Sequence, residues 1–96
     1  MAFWVYILQC SDGSYYTGHT DDLQLRLAQH HSGSCNGYTA TRLPIKLAFT
    51  QEFTSREEAL ASERQIKGWS RAKKEAMMRG DWKKVLRLAR GSTRLS

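Results

Sequence analysis

The sequence lacks the features of several common protein classes. Cys10 and Cys35 are the two cysteines in 96 residues, too few and too oddly placed for the disulfide framework of a small secreted protein. Two free thiols are expected. No apolar run approaches the roughly 20 residues of a membrane span, and the N-terminus has no basic segment leading to a small-residue cleavage site. The cytoplasm is therefore the expected location, with no membrane partner. Internal repeats, heptads and low-complexity segments are also missing. A chain of 96 residues predicts one domain with a modest core, over residues 1–90, with residues 91–96 as a frayed tail.

Acidic residues are scarce in one region in particular. Residues 64–96 carry eleven Lys or Arg against Glu75 and Asp81, a net +9 in a chain whose total is +6, so the remainder is net negative. This asymmetry favours a polyanion, because each neutralised phosphate releases counterions and steers association. A solvated basic helix face would look the same in sequence. Charge alone does not separate DNA from RNA.

Aromatic residues concentrate near the N-terminus. Residues 3–10 are mostly β-branched or aromatic, the pattern of a strand buried on both faces, and Asp12-Gly13 supplies a turn. A second strand, residues 15–20, carries Gly18, where the missing Cβ lets a backbone or a phosphate approach closely. A helix should start at Asp21 or Asp22 and stop at Gly33, with Leu23 and Leu27 as its buried stripe. Arg26 and His30 are four apart and border that stripe. Tyr16 lies ten positions after Tyr6, and Arg26 ten after Tyr16.

Residues 32–44 read as a loop, in which Tyr38, Thr39 and Arg42 are placed to grip a nucleic-acid backbone or stack on a base. Tyr38 could equally seal the edge of the core. Residues 45–53 read as a third strand with Ile45, Leu47, Phe49 and Phe53 on one face. Ser55 and Glu58 have the form of a capping box, opening a helix over Arg56–Lys67. Its Glu63 lies between Ala59 and Ile66 on the apolar face, and a carboxylate there needs a cation. Lys67, at i+4, is one candidate and a metal ion is the other. Ser70 should cap a further helix ending near Arg79 and Gly80, and Asp81 a last one ending at Gly91. Ala76, Met77, Trp82, Val85, Leu86 and Ala89 form the apolar side of this pair, with Trp82 as a packing anchor. Arg71, Lys73, Lys74, Lys83, Lys84 and Arg87 stay in water.

Trp4-Val5-Tyr6, Tyr16-Thr17-Gly18, Arg26 in the first helix and Glu63 in a later one together resemble the GIY-YIG nucleases. The match spans about residues 2–80 and is similar to the small stand-alone bacterial members. Two departures stand out. Trp4 replaces the glycine of the first triplet, and the asparagine that many relatives carry beyond the glutamate helix has no counterpart, since Asn36 is the only one.

The resemblance implies an α+β fold, a small three-stranded antiparallel sheet flanked by helices, and divalent-metal-dependent endonuclease activity on DNA phosphodiester bonds. Glu63 would hold one Mg²⁺ or Mn²⁺, Arg26 would steady the phosphate, and Tyr6 and Tyr16 would work on water or phosphate. Tyr6 leads as general base. A phenol is ordinarily almost fully protonated at neutral pH whereas imidazole titrates near pH 6.5, so His30 is the second candidate. The implied nucleic-acid contacts are Gly18, His19, Tyr38, Arg42, Lys67, Arg71, Lys73 and Lys74. DNA is the expected polymer and RNA the second. A noncatalytic nucleic-acid-binding module of the same fold is the alternative, and a protein partner or a homodimer remains open. Zinc is not expected, because His19, His30, His31, Cys10 and Cys35 form no compact pairing.

Overall fold

In the computed structural model, which describes residues 2–34 and 37–94 with the side chains of 89–94 excepted, β1 (Phe3–Gln9) runs through the middle of the molecule. It pairs antiparallel with β2 (Tyr15–Thr20) on one side and β3 (Lys46–Phe53) on the other. The chain then continues as α1 (Leu23–Ser32) and α2 (Gly37–Ala40) before β3, and as α3 (Arg56–Lys67), α4 (Arg71–Met78) and α5 (Trp82–Arg94) after it. This is the expected three-stranded antiparallel sheet with flanking helices.

Val5, Tyr6, Ile7 and Leu8 are all buried, as a strand covered on both faces requires. Because successive side chains alternate, β1 feeds two separate cores. Val5 and Ile7 join Ala59 and Ile66 of α3, Ala76 and Met77 of α4, and Val85 of α5. Leu8 turns the other way, toward Cys10, Ile45, Tyr16 and Leu27 of α1. The helices on both faces are set by their ends. Asp22, Ser55 and Ser70 each accept a hydrogen bond from the third backbone amide beyond them. Gly33 and Gly80 lie at φ 78° and 76°, where a Cβ would be strained. The Glu58 carboxylate, however, accepts from the hydroxyls of Thr54 and Ser55, so only the serine half of the capping box is made with backbone.

Several sequence expectations are corrected. Phe49 pairs with Ile7 but Leu47 with Leu8, so Ala48 is an extra residue that breaks the register. Such a bulge turns the following side chain to the opposite face. Leu47 is 40% exposed, outside both buried clusters. Residues 32–44 are not all loop, since α2 falls within them. Leu23 and Leu27 are only half-buried, and the fully buried residue of α1 is His30. Trp82 and Leu86 are 52% and 59% exposed instead of anchoring the core. Helix α5 continues to Arg94, past Gly91. Residues 95 and 96 of the expected tail, Cys35 and Asn36 lie outside the described residues, as does the Ala89 side chain. No helix among the described residues is long and apolar enough to cross a membrane.

The bulge separates two leucine-sized side chains by energy. Ile7→Ala should cost about 2–5 kcal/mol in urea denaturation, and Leu47→Ala should stay within about 0.5 kcal/mol. Equal losses would mean that β3 pairs without the bulge.

Candidate functional site

The hairpin register places Tyr6 directly opposite Gly18 and Leu8 opposite Tyr16. A Cβ built on Gly18 would lie 2.6 Å from Tyr6 Oη and 2.8 Å from Cζ. The space that the sequence suggested for a phosphate is thus filled by the Tyr6 ring. Glycine at 18 lets the phenol lie across β2 toward α1. There its oxygen sits 2.9 Å from His30 Nε2, while His30 Nδ1 is 2.8 Å from Thr39 Oγ1 on α2.

All three partners are buried, with His30 and Thr39 fully enclosed. A neutral imidazole donates through one nitrogen and accepts through the other, and both hydroxyls can serve either way. Burial, then the positive charges of Arg26 and His31, hold the His30 imidazole below the ordinary histidine value. Thr39, read from sequence as a backbone-gripping residue, instead anchors this imidazole from inside.

Tyr16 extends the cluster outward. Its ring centroid is 5.3 Å from that of His30 and 6.1 Å from that of Tyr38, on which it stacks. The Arg42 guanidinium lies 3.9 Å above the Tyr38 ring and donates to Asp12 at 3.0 Å. Tyr38 and Arg42 therefore form the outer end of a ring stack tied to the hairpin turn.

Across from Tyr6, α3 presents Glu63. Residues 56, 63 and 67 follow one side of that helix, because spacings of seven and four return to the same face. They border a polar cavity of about 320 Å³ with Tyr6, Tyr16, Gly18, His19 and Thr20 of the hairpin, Asp21 just beyond it, and Arg26 of α1. Both Glu63 oxygens are held. His19 Nδ1 is 2.7 Å from Oε1, and the Lys67 ammonium donates to Oε2 at 3.1 Å. Burial of Glu63 pushes its carboxyl up, but the hydrogen bonds from His19 and Lys67 outweigh that and leave it below the ordinary value. Arg56 pairs with Asp21 at 3.6 Å.

The structure thus collects Tyr6, Tyr16, Gly18, His19, Arg26, Glu63 and Lys67 around one cavity, with His30 directly behind Tyr6. It does not bring Arg71, Lys73 or Lys74 among the described residues lining it. Arg71 donates to the Gly13 carbonyl at 2.7 Å, pairs with Glu75 and lies over the Tyr15 ring, pinning the hairpin turn to α4. Lys73 lies 4.2 Å from the Trp69 ring centroid. Burial lowers the Lys74 ammonium's pKa. Trp4, standing where the family has glycine, is half-buried opposite Thr20 and Glu52.

Arg56 and Asp21 are cavity residues that sequence reasoning missed. The available signal was the seven-residue spacing from Arg56 to Glu63, which places both on one stripe of α3.

The donor set fits a hard divalent ion. Glu63 is a nearly enclosed carboxylate that already holds a cationic ammonium, hydroxyls flank it, and the cavity is open enough for water and phosphate oxygens. No group of three or more His, Cys, Asp or Glu among the described residues forms an all-protein cage. Magnesium does not need one, since it keeps several waters and takes one or two carboxylates plus substrate oxygens.

Residues 2–76 match the model of the GIY-YIG catalytic domain. A UPF0213 protein of Halobacterium salinarum is 49% identical over 73 residues, covering 76% of this chain and 95% of its own. A UPF0213 protein of Streptococcus pneumoniae is 47% identical over 75 residues, covering 78% and 76%. Among solved structures, the solution NMR structure of a UPF0213 protein from Bacillus halodurans is 47% identical with a TM-score of 0.54, covering 80% of this chain and 82% of that one. That of a protein from E. faecalis is 34% identical with a TM-score of 0.59, covering 83% and 85%.

Gly18→Ala forces the Tyr6 ring from its seat and should cost about 1–3 kcal/mol in denaturant titration; an unchanged midpoint would show that the ring has room. His30 has a depressed folded value, so the unfolded chain takes up its proton first as pH falls below about 6.5. The His30 contribution is therefore complete above that pH and declines as pH drops toward the folded value. Stability measured from pH 7 to 5 should fall more steeply in the wild type than in His30→Gln, and parallel curves would remove His30 as the cause.

Proposed function

Because this chain belongs to the GIY-YIG family, a family of nucleases, we propose that it is a divalent-metal-dependent endonuclease hydrolysing DNA phosphodiester bonds. The observation that carries this reading is the facing of Tyr6, backed by His30, and Glu63 across a single polar cavity that Arg26 also borders.

Each residue has a chemical task in this reading. The Arg26 guanidinium binds non-bridging phosphate oxygens through its planar fork and spreads the charge that builds up during attack. One Mg²⁺ or Mn²⁺, held by Glu63 with waters and substrate oxygens, would supply Lewis-acid stabilisation of that charge. Tyr6 Oη takes a proton from the attacking water as its own passes to His30 Nε2. That transfer requires His30 to be neutral with its remaining proton on Nδ1, facing Thr39, and its lowered pKa favours the neutral ring. The water oxygen forms the new bond to phosphorus, the bond to the leaving oxygen breaks, and that oxygen is protonated from solvent. Tyr16 orients the phosphate or water, and His19 holds the Glu63 carboxylate in place.

The basic residues outside the cavity supply sequence-independent attraction to the nucleic-acid backbone. A second reading, a noncatalytic nucleic-acid-binding module, is favoured by one observation, the occupation of both Glu63 oxygens by His19 and Lys67.

Single-stranded, duplex and branched DNA, with RNA in parallel, should be incubated with Mg²⁺ or Mn²⁺ and the wild type, Glu63→Ala or Arg26→Ala. Cleavage by the wild type should fall on the order of 10²-fold or more in each variant. Cutting that survives Glu63→Ala undiminished would assign the activity to another site. Binding without cleavage on any substrate would favour the second reading.

A further inference from the structure

Glu63 has two carboxylate oxygens and two resident partners, and the partners differ in freedom. His19 extends from β2, where pairing to Val5 fixes its backbone. Lys67 sits in the last turn of α3 with its side chain 52% exposed, a compact charge on a flexible four-carbon stem that can leave without repacking its surroundings. The balance of charge in the cavity is also uneven. Among the described residues that line it, Arg26, Arg56 and Lys67 are positively charged and Glu63 and Asp21 negatively. A divalent cation entering alone must displace an ammonium and approach two guanidinium groups. A phosphodiester at the same place adds negative charge and gives the displaced ammonium a new partner.

We propose that Lys67 is a resident counter-cation of Glu63 that yields its place to a divalent ion only when a nucleic-acid phosphate occupies the cavity, so that metal and nucleic acid bind cooperatively. The inference rests on the reading of Glu63 as the metal ligand. Lys67 then passes from the carboxylate to the phosphate, while His19 remains on Oε1 as a positioning residue that keeps Oε2 directed into the cavity. Since coupling between two ligands is reciprocal, the metal tightens nucleic-acid binding by the same factor. The free protein holds its carboxylate neutralised by the Lys67 ammonium.

Mn²⁺ binding can be followed by loss of the free-ion electron paramagnetic resonance signal, for the wild type, Lys67→Met and Glu63→Gln. Each is titrated alone and with a saturating, nuclease-resistant phosphorothioate oligonucleotide, against an oligonucleotide-only control. Lys67→Met should tighten Mn²⁺ binding to the free protein by about fivefold, the scale of one half-exposed ion pair. The oligonucleotide should enhance Mn²⁺ affinity more in the wild type than in Lys67→Met. Equal free-protein affinities and equal enhancements, with binding lost in Glu63→Gln, would overturn the role of Lys67 and leave the metal ligand standing. Binding that survives in Glu63→Gln would remove the metal site itself, and this inference with it. Circular dichroism checks the fold of each variant, and Lys67→Gln repeats the comparison if Lys67→Met is perturbed.

Discussion

The seat of the Tyr6 ring over Gly18 is the constraint on which the rest of the site depends. A phenol in the central strand of a small sheet would normally point into whatever helix covers that face. Here the adjacent strand offers no Cβ, so the ring can lie across it and bring its oxygen to an imidazole on α1. The imidazole is in turn held by a threonine from α2. Three segments, β1, α1 and α2, are thereby locked around one phenol and one imidazole. Buried polar groups in such a chain stabilise only when each is matched, because an unmatched one loses its water without replacement.

The two faces of the sheet divide the labour. The apolar interior formed with α3, α4 and α5 holds the larger cluster of buried apolar residues and fixes α3 against the sheet. The opposite interior is smaller and mixes Leu8, Cys10 and Ile45 with the histidine and tyrosines. Glu63 approaches the site from the first side and Tyr6 from the second. The cavity lies where the two meet at the β2 edge, with His19 reaching from one face and Tyr16 from the other. That placement explains how a carboxylate can be nearly enclosed and still reach solvent: its neighbours on α3 are core residues, while its own tip emerges past the last strand.

Much of this was legible in the sequence, and the parts that were not share a cause. The hairpin, the caps at Asp22, Ser55 and Ser70, and the position of Glu63 beside the α3 stripe are local, periodic or compositional signals. The bulge at Ala48 is not, since Leu47 and Phe49 alternate as any strand would, and only pairing with β1 reveals the extra residue. His30 reads as a polar helix residue beside a leucine stripe. Its burial comes from Tyr6 and Thr39, contributed by other segments. Thr39 looks like loop polarity until α2 turns it inward. Trp82 and Leu86 follow a helical apolar face, but α5 packs mainly on α4 and leaves them bordering an open groove. The resemblance carried by the two aromatic triplets, Arg26 and Glu63 identified the family, and the i, i+4 spacing offered Lys67 as a cation for Glu63, whereas the places of Arg56 and Asp21 at the cavity and the second hold of His19 on Glu63 emerge only in three dimensions.

The spacing between the two aromatic triplets is set by a ruler, the tight turn at Asp12 and Gly13. Asp12 accepts from the Ser14 amide and hydroxyl, Arg42 closes over it, and Arg71 grips the Gly13 carbonyl from α4. A single residue gained or lost there would shift β2 by one step, and a strand so shifted presents its opposite side chains to each neighbour. Glycine would no longer stand across from the phenol, nor histidine beside the carboxylate. The length of a surface turn, usually the most permissive part of a small protein, is in this chain as closely bound to the geometry of the cavity as any residue inside it.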